Sequence, residues 1–150
     1  MYATQAEYEY YFGDISEAEF NRYGMEAERT LDIATTGIDG FCKLKEAFPE
    51  DKADIIAFCA CELMHCLKDI AETGTIEGVK GAVSSMSAGN ESITFSQNTA
   101  VAKAASDPAE KLRVVNGKVS FWLSGLEDAN GVSLLFRGRY PNVQRQSNGL

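Results

Sequence analysis

Ala53-Asp54-Ile55-Ile56-Ala57-Phe58-Cys59-Ala60-Cys61-Glu62-Leu63-Met64-His65-Cys66-Leu67-Lys68-Asp69-Ile70-Ala71-Glu72-Thr73-Gly74 is the stretch on which the fold turns. At about 100° per residue, Ile55, Ile56, Cys59, Leu63, Cys66, Leu67 and Ile70 gather on one face, with Asp54, Glu62, Lys68 and Asp69 mostly opposite. Pro49 suits a first helical turn, and Glu50 and Asp51 suit the positive end of the helix dipole. The pattern predicts one long helix from about Pro49 to Thr73, stopped by Gly74. Phe58 falls off the apolar face, beside Cys61 and His65 on the polar side. An aromatic in that position is either covered by another segment or marks a subunit contact.

Two shorter helices are expected upstream. Tyr2 to Phe12 carries Tyr2, Tyr8, Tyr10 and Tyr11 and stops at Gly13-Asp14. Its aromatic face must dock on something. Ser16-Glu17-Ala18-Glu19 has the capping-box pattern, in which serine and glutamate each satisfy the other's backbone amide. Phe20, Tyr23, Gly24, Ala27, Leu31 and Ala34 then form one apolar stripe. Gly24 costs about 1 kcal/mol relative to alanine in a helix, and its expected gain is the closer approach of a neighbouring helix. Thr35-Thr36-Gly37 and Gly40 end the element.

Downstream the texture changes. Residues 79–97 read as two short strands around Gly89-Asn90, a β-hairpin. Residues 97–105 read as a linker or weak helix. Asp107-Pro108-Ala109-Glu110 is a good helix start, with an aspartate cap and a first-turn proline. Leu112, Val115, Val119, Trp122, Leu123 and Leu126 continue it as a helical stripe. Asn116-Gly117 offers a rival reading as a hairpin turn, against which the cap and the stripe stand. Leu134, Leu135, Phe136, Arg137, Gly138, Arg139 and Tyr140 are apolar, then basic, before Pro141. The fold class expected is mainly α: a small bundle of three to four main helices with an inserted β-hairpin. Residues 1–126 form the helical domain, and 127–150 an extended tail that orders on assembly.

Composition bounds the function. The chain has 150 residues, 45% hydrophobic and 24% charged, enough for one domain with its own core. Fourteen Lys and Arg against 22 Asp and Glu give a net charge of −8, the wrong sign for non-specific nucleic-acid binding. No apolar run reaches the roughly 20 residues of a membrane span, and the acidic, mixed N-terminus does not read as a signal peptide. Cys42, Cys59, Cys61 and Cys66 read as reduced thiols of a cytosolic protein.

The chemistry that the sequence offers is thin. Cys59, Cys61, His65 and Cys66 invite a zinc site. On a helix, however, Cys59 and Cys66 lie about 160° from Cys61 and His65, so four ligands of one helix cannot close a tetrahedron. Cys61 and His65 remain as an exposed pair to which another chain could add a ligand. The early carboxylates follow solvated helix faces. Ser84-Ser85-Met86 is no nucleophile elbow, and Gly74, Gly78 and Gly81 lack phosphate-loop spacing. Arg137, Arg139 and Arg145 suit contact with an acidic protein surface. No catalytic residue, metal or cofactor is expected.

Three blocks then fall in a characteristic order: Tyr2-Ala3-Thr4 with the acidic tyrosine-rich and Ser-capped helices; Ala57-Phe58-Cys59-Ala60 followed by Ser84-Ser85-Met86-Ser87-Ala88-Gly89-Asn90-Glu91-Ser92-Ile93-Thr94-Phe95-Ser96; and Trp122-Leu123 followed by Leu134-Leu135-Phe136-Arg137-Gly138. In order and spacing the chain resembles the head–tail connector (head-completion or adaptor) proteins of long-tailed bacteriophages and prophages. Residues 127–133 stand as an insertion relative to that pattern, and 98–107 are unusually rich in Ala and Ser. The resemblance implies a structural, non-enzymatic subunit made in the bacterial cytoplasm and placed at the head–tail junction of the virion. Copies form a ring, commonly twelvefold, under the portal protein. The ring extends the DNA channel and receives the next tail-completion protein. DNA only passes through, and no membrane takes part. A ring subunit needs two different flanks, because its contacts are head-to-tail. The residues put forward for them are Phe58, Cys61, His65, Gly89, Asn90, Leu135, Phe136, Arg137 and Tyr140. The alternative is a small non-catalytic regulatory module of a mobile element that binds one protein partner.

Overall fold

The computed structural model describes residues 1–75 and 107–141. This part is mainly helical. In chain order it holds α1 (Gln5–Phe12), α2 (Glu17–Ala34), the single-turn α3 (Lys43–Glu46), a 3-10 turn (Glu50–Lys52), α4 (Ala53–Thr75) and α5 (Pro108–Leu123). Among the described residues there is no strand, only the isolated antiparallel bridges Thr36–Cys42 and Glu127–Ser133. The hairpin expected at 79–97, with Gly89 and Asn90, lies outside the described residues, as does the segment 98–105.

Local chemistry explains where the helices begin. Thr4 caps α1 with a complete capping box: its hydroxyl accepts from the Glu7 amide at 3.2 Å, and the Glu7 carboxylate accepts from the Thr4 amide at 3.1 Å. Ser16 caps α2 by accepting from the Glu19 amide at 3.1 Å. The chain at Pro49 makes a 3-10 turn first, so α4 starts at Ala53, four residues later than expected, and it continues through Gly74 to Thr75. Asp107 caps α5 through the Ala109 amide at 3.0 Å, with Pro108 in the first turn. The helix runs unbroken through Asn116-Gly117, so the hairpin reading there is excluded. It ends at Leu123, short of Leu126, where Gly125 takes φ +82° and turns the chain.

α4 is the central rod, and α1, α2 and α5 pack around it. Ile56, Cys59, Leu63, Leu67 and Ile70 are buried as the periodicity predicts. Ala60, Cys61 and Met64 are buried as well, so α4 is covered on more than its one apolar face. α2 contributes Phe20, Tyr23, Ala27 and Leu31, and α5 contributes Val115, Val119 and Leu123. Gly24 is buried where the Met1 side chain crosses α2: a Cβ there would sit 2.8 Å from the Met1 sulfur and 3.4 Å from that of Met64 on α4. The close approach is therefore made chiefly by the N-terminal methionine and only secondarily by a helix.

The chain beyond α5 differs most from expectation. Of the tail expected at 127–150, residues 127–141 form a lobe packed on the bundle, and 142–150 lie outside the described residues. Leu134 is fully buried in the core, and its amide donates to the Leu126 carbonyl at 2.9 Å. The Ala129 amide donates to the Ala47 carbonyl, also at 2.9 Å. The stretch 127–133 is a closed turn organised by Asp128. One Asp128 carboxylate oxygen accepts from the amides of Asn130 and Val132, both at 2.9 Å. A buried carboxylate that collects nearby amides replaces the water it has lost.

Candidate functional site

The residues proposed as flanks separate into two places. Phe58, Cys61 and His65 belong to the contact between α4, α1 and α5. Leu135, Phe136, Arg137 and Tyr140 belong to the C-terminal lobe. Gly89 and Asn90 lie outside the described residues.

Phe58 is covered by segments of its own chain. Tyr11 meets its ring edge-on at 4.7 Å between centroids, and Trp122 does the same at 4.9 Å. Phe12 lies at 6.4 Å. The row continues at both ends, to Tyr10 (5.0 Å from Tyr11) and to Phe121 (5.2 Å from Trp122). Its middle is half-buried, but Tyr10 is 83% exposed and Phe121 75%. The indole of Trp122 donates to the Glu62 carboxylate, which also pairs with Lys118 at 3.5 Å. Beside this pair Arg113, Gly117, Phe121 and Trp122 border a shallow cleft of about 340 Å³.

His65 and Cys61 are not an exposed pair. Cys61 is fully buried, because α1 lies across the side of α4 that the helical pattern marks as polar. Phe12 stacks on the His65 ring at 4.4 Å and 11°, Tyr8 shares a hydrogen bond with Nδ1 at 3.2 Å, and Asp69 lies 3.4 Å from Nε2. Burial pushes the Cys61 thiol up to about 11 and the Cys59 thiol to about 12, and it raises Cys66 too. Such thiols are poor nucleophiles and poor ligands. Among the described residues no group of three or more His, Cys, Asp or Glu side chains could hold a metal ion.

The C-terminal lobe is clamped to the α2–α3 loop. Lys43, almost wholly buried, donates from Nζ to the carbonyls of Thr35 (3.2 Å) and Phe136. Burial holds its ammonium below the usual lysine range. The Ile38 amide donates to the Arg137 carbonyl at 2.8 Å, and the Tyr140 amide to Asp39 at 2.8 Å. These backbone donors, from Tyr140 and then Phe41, hold the Asp39 carboxyl below its ordinary range. Tyr140 stacks on Phe41 at 3.8 Å, and its hydroxyl donates to Asp128 at 2.6 Å. Burial, then that bond, pushes Tyr140 up to about 12. Leu135 packs partly on the core, whereas Phe136, Arg137 and Arg139 remain exposed.

Three working groups escape the sequence reading. Lys43 looks like any loop lysine. Asp128 carried a signal, the Asp-Ala-Asn-Gly turn at 128–131, that the insertion reading passed over. The Tyr2 hydroxyl, which donates to Asp32 and is raised by burial and by that bond, had none. No family model matches the chain, and no curated protein or solved structure does either.

Proposed function

We propose that this chain is a structural subunit of a phage or prophage head–tail connector, acting by contact with copies of itself and with its neighbours in the virion, without catalysis. The order of the three sequence blocks carries the reading: the tyrosine-rich and Ser-capped helices, the long central helix with the segment that follows it, and Trp122-Leu123 with Leu134-Leu135-Phe136-Arg137-Gly138. A compact helical bundle is the scaffold this role needs. The charge is compatible as well. Residues 1–75 carry 16 Asp and Glu against six Lys and Arg, a net −10, whereas 107–141 carry four against five, a net +1. A channel through which DNA must slide gains from repelling phosphate rather than gripping it.

The test is direct. The neighbouring genes are read for a portal protein, and the purified protein, concentrated alone and mixed with any portal ring found there, is viewed by negative stain and weighed by light scattering. Rings, or portal bound by this chain, are the expected result. A strictly monomeric protein that ignores the portal overturns the reading. Neighbouring genes without portal or capsid proteins point instead to a one-partner regulatory module.

A further inference from the structure

Among the described residues, one row of aromatic rings has ends that nothing covers. Tyr10, Tyr11, Phe58, Trp122 and Phe121 follow one another at 4.7–5.2 Å across three helices, and both ends stand in solvent. Carboxylates border its α1–α4 side: Glu7 lies one helical turn before Tyr11, and Asp54 one turn before Phe58. At the α5 end Lys118 and Arg113 also border it, each paired with a carboxylate, Glu62 and Glu110. Aromatic rings edged by acidic groups suit guanidinium groups interleaved with apolar side chains, because arginine stacks on ring faces while its charge is met at the rim.

The same chain presents that chemistry elsewhere. Phe136-Arg137-Gly138-Arg139-Tyr140 shows two exposed arginines, of which Arg137 also donates to the Ile33 carbonyl at 3.1 Å, and a ring that is 42% exposed, with Ile33 and Ile38 exposed on the elements to which it is clamped. One carboxylate, Asp39, sits within this patch and is engaged by the Tyr140 and Phe41 amides. The Ile38, Lys43 and Asp39 bonds hold the segment against the α2–α3 loop, so within one molecule it does not cover the row. The same bonds hold it in shape before any encounter, which lowers the ordering cost of binding.

We propose that the aromatic row of one molecule receives the Arg137–Tyr140 segment of a second copy, in a head-to-tail contact that leaves a free row at one end and a free segment at the other. Two unlike surfaces on one chain make a chain of copies that closes into a ring when the rotation allows it. The inference rests on the connector reading and adds to it the pair of surfaces that meet.

Two double variants test it, each changing exposed residues only: Tyr10→Ala with Phe121→Ala, which removes the ends of the row, and Arg137→Glu with Arg139→Glu, which reverses the segment. Circular dichroism and thermal melting establish that both fold. In sedimentation velocity the unmodified chain grows beyond the dimer with concentration. Each variant alone stays monomeric at tenfold higher concentration. Their equimolar mixture forms a dimer that grows no further, because one intact row meets one intact segment. A mixture that remains monomeric, or a variant that assembles like the parent, overturns the pairing while the parent's own rings keep the connector reading. Loss of portal binding with self-association unchanged also overturns it, and assigns the row to another protein. A parent chain that neither self-associates nor binds portal removes both.

Discussion

Phe58 stands off the apolar stripe of its own helix, and its neighbours decide what it does. With Tyr11, Phe12 and Trp122 around it, the ring works as mortar between α1, α4 and α5. Phe58→Ala is expected to cost about 2–3 kcal/mol, below the 3–5 of a fully buried phenylalanine because one edge is open. A lower urea midpoint with an unchanged slope checks it. The thiols give a second expectation. Cys61 ionises near 11 in the fold but at 9.0 when exposed, so folding holds its proton. That contribution is intact below about pH 9 and is lost as pH rises through 11. Between those values the parent should lose stability faster than Cys61→Ala, by up to about 1.4 kcal/mol per pH unit. Lys43, whose ammonium is disfavoured by burial, acts in the opposite sense: its penalty disappears as pH climbs toward its ordinary 10.5. Parent and Cys61→Ala, which share Lys43, are therefore compared at each pH, by denaturant titration.

Of the four main helices, α1 is the shortest. Eight residues are too few for a stable helix in isolation, and Tyr8 is its one buried side chain. It should open ahead of the rest, and Cys61 beneath it reports the event. With a thiol reagent under native conditions half-buried Cys42 reacts first, Cys61 next, and Cys59 last. Equal rates for Cys59 and Cys61 would mean that α1 does not open independently. The C-terminal lobe depends on Asp128. Asp128→Ala strands the Asn130 and Val132 amides and the Tyr140 hydroxyl, at about 1–3 kcal/mol for each donor left dry. Amide exchange in 127–141 should rise well before that in α4.

These elements also explain what could be read in advance. The cap and stripe of α2 and the Asp-Pro start of α5 are local patterns, and each appears where the letters place it; the long α4 is there as well, but it begins four residues later, at Ala53, and runs past Gly74. The side of α4 that α1 covers is not local. The helical period marks Cys61 and His65 as outward, and a separate short helix with little stripe of its own buries the thiol. Lys43 and Asp128 failed for a related reason. Both are polar residues in loops, and what makes them structural is a carbonyl or an amide contributed by distant chain, such as Phe136 to Lys43, 93 positions away.

For the molecule as a whole, charge is divided by position: net −10 before residue 76 and +1 across 107–141. If the acidic rim of the row meets Arg137 and Arg139 of another copy, part of the attraction is Coulombic. Raising salt from about 0.1 M to 1 M shortens the screening length from about 10 Å to 3 Å. Association of the unmodified chain should therefore weaken over that range, read as a rising dissociation constant in sedimentation. Association that strengthens with salt would mean a purely apolar contact.

Gly37 ties these levels together. It passes so near the main chain of the lobe that a Cβ would stand 2.5 Å from the Gly138 carbonyl oxygen, and main chain cannot swing aside as a flexible side chain can. A single methyl group at that point is a wedge: Gly37→Ala would pry up the strap that carries both arginines. It alters no charge and touches none of the rings, yet it would leave the molecule able to accept a neighbour and unable to offer itself to one.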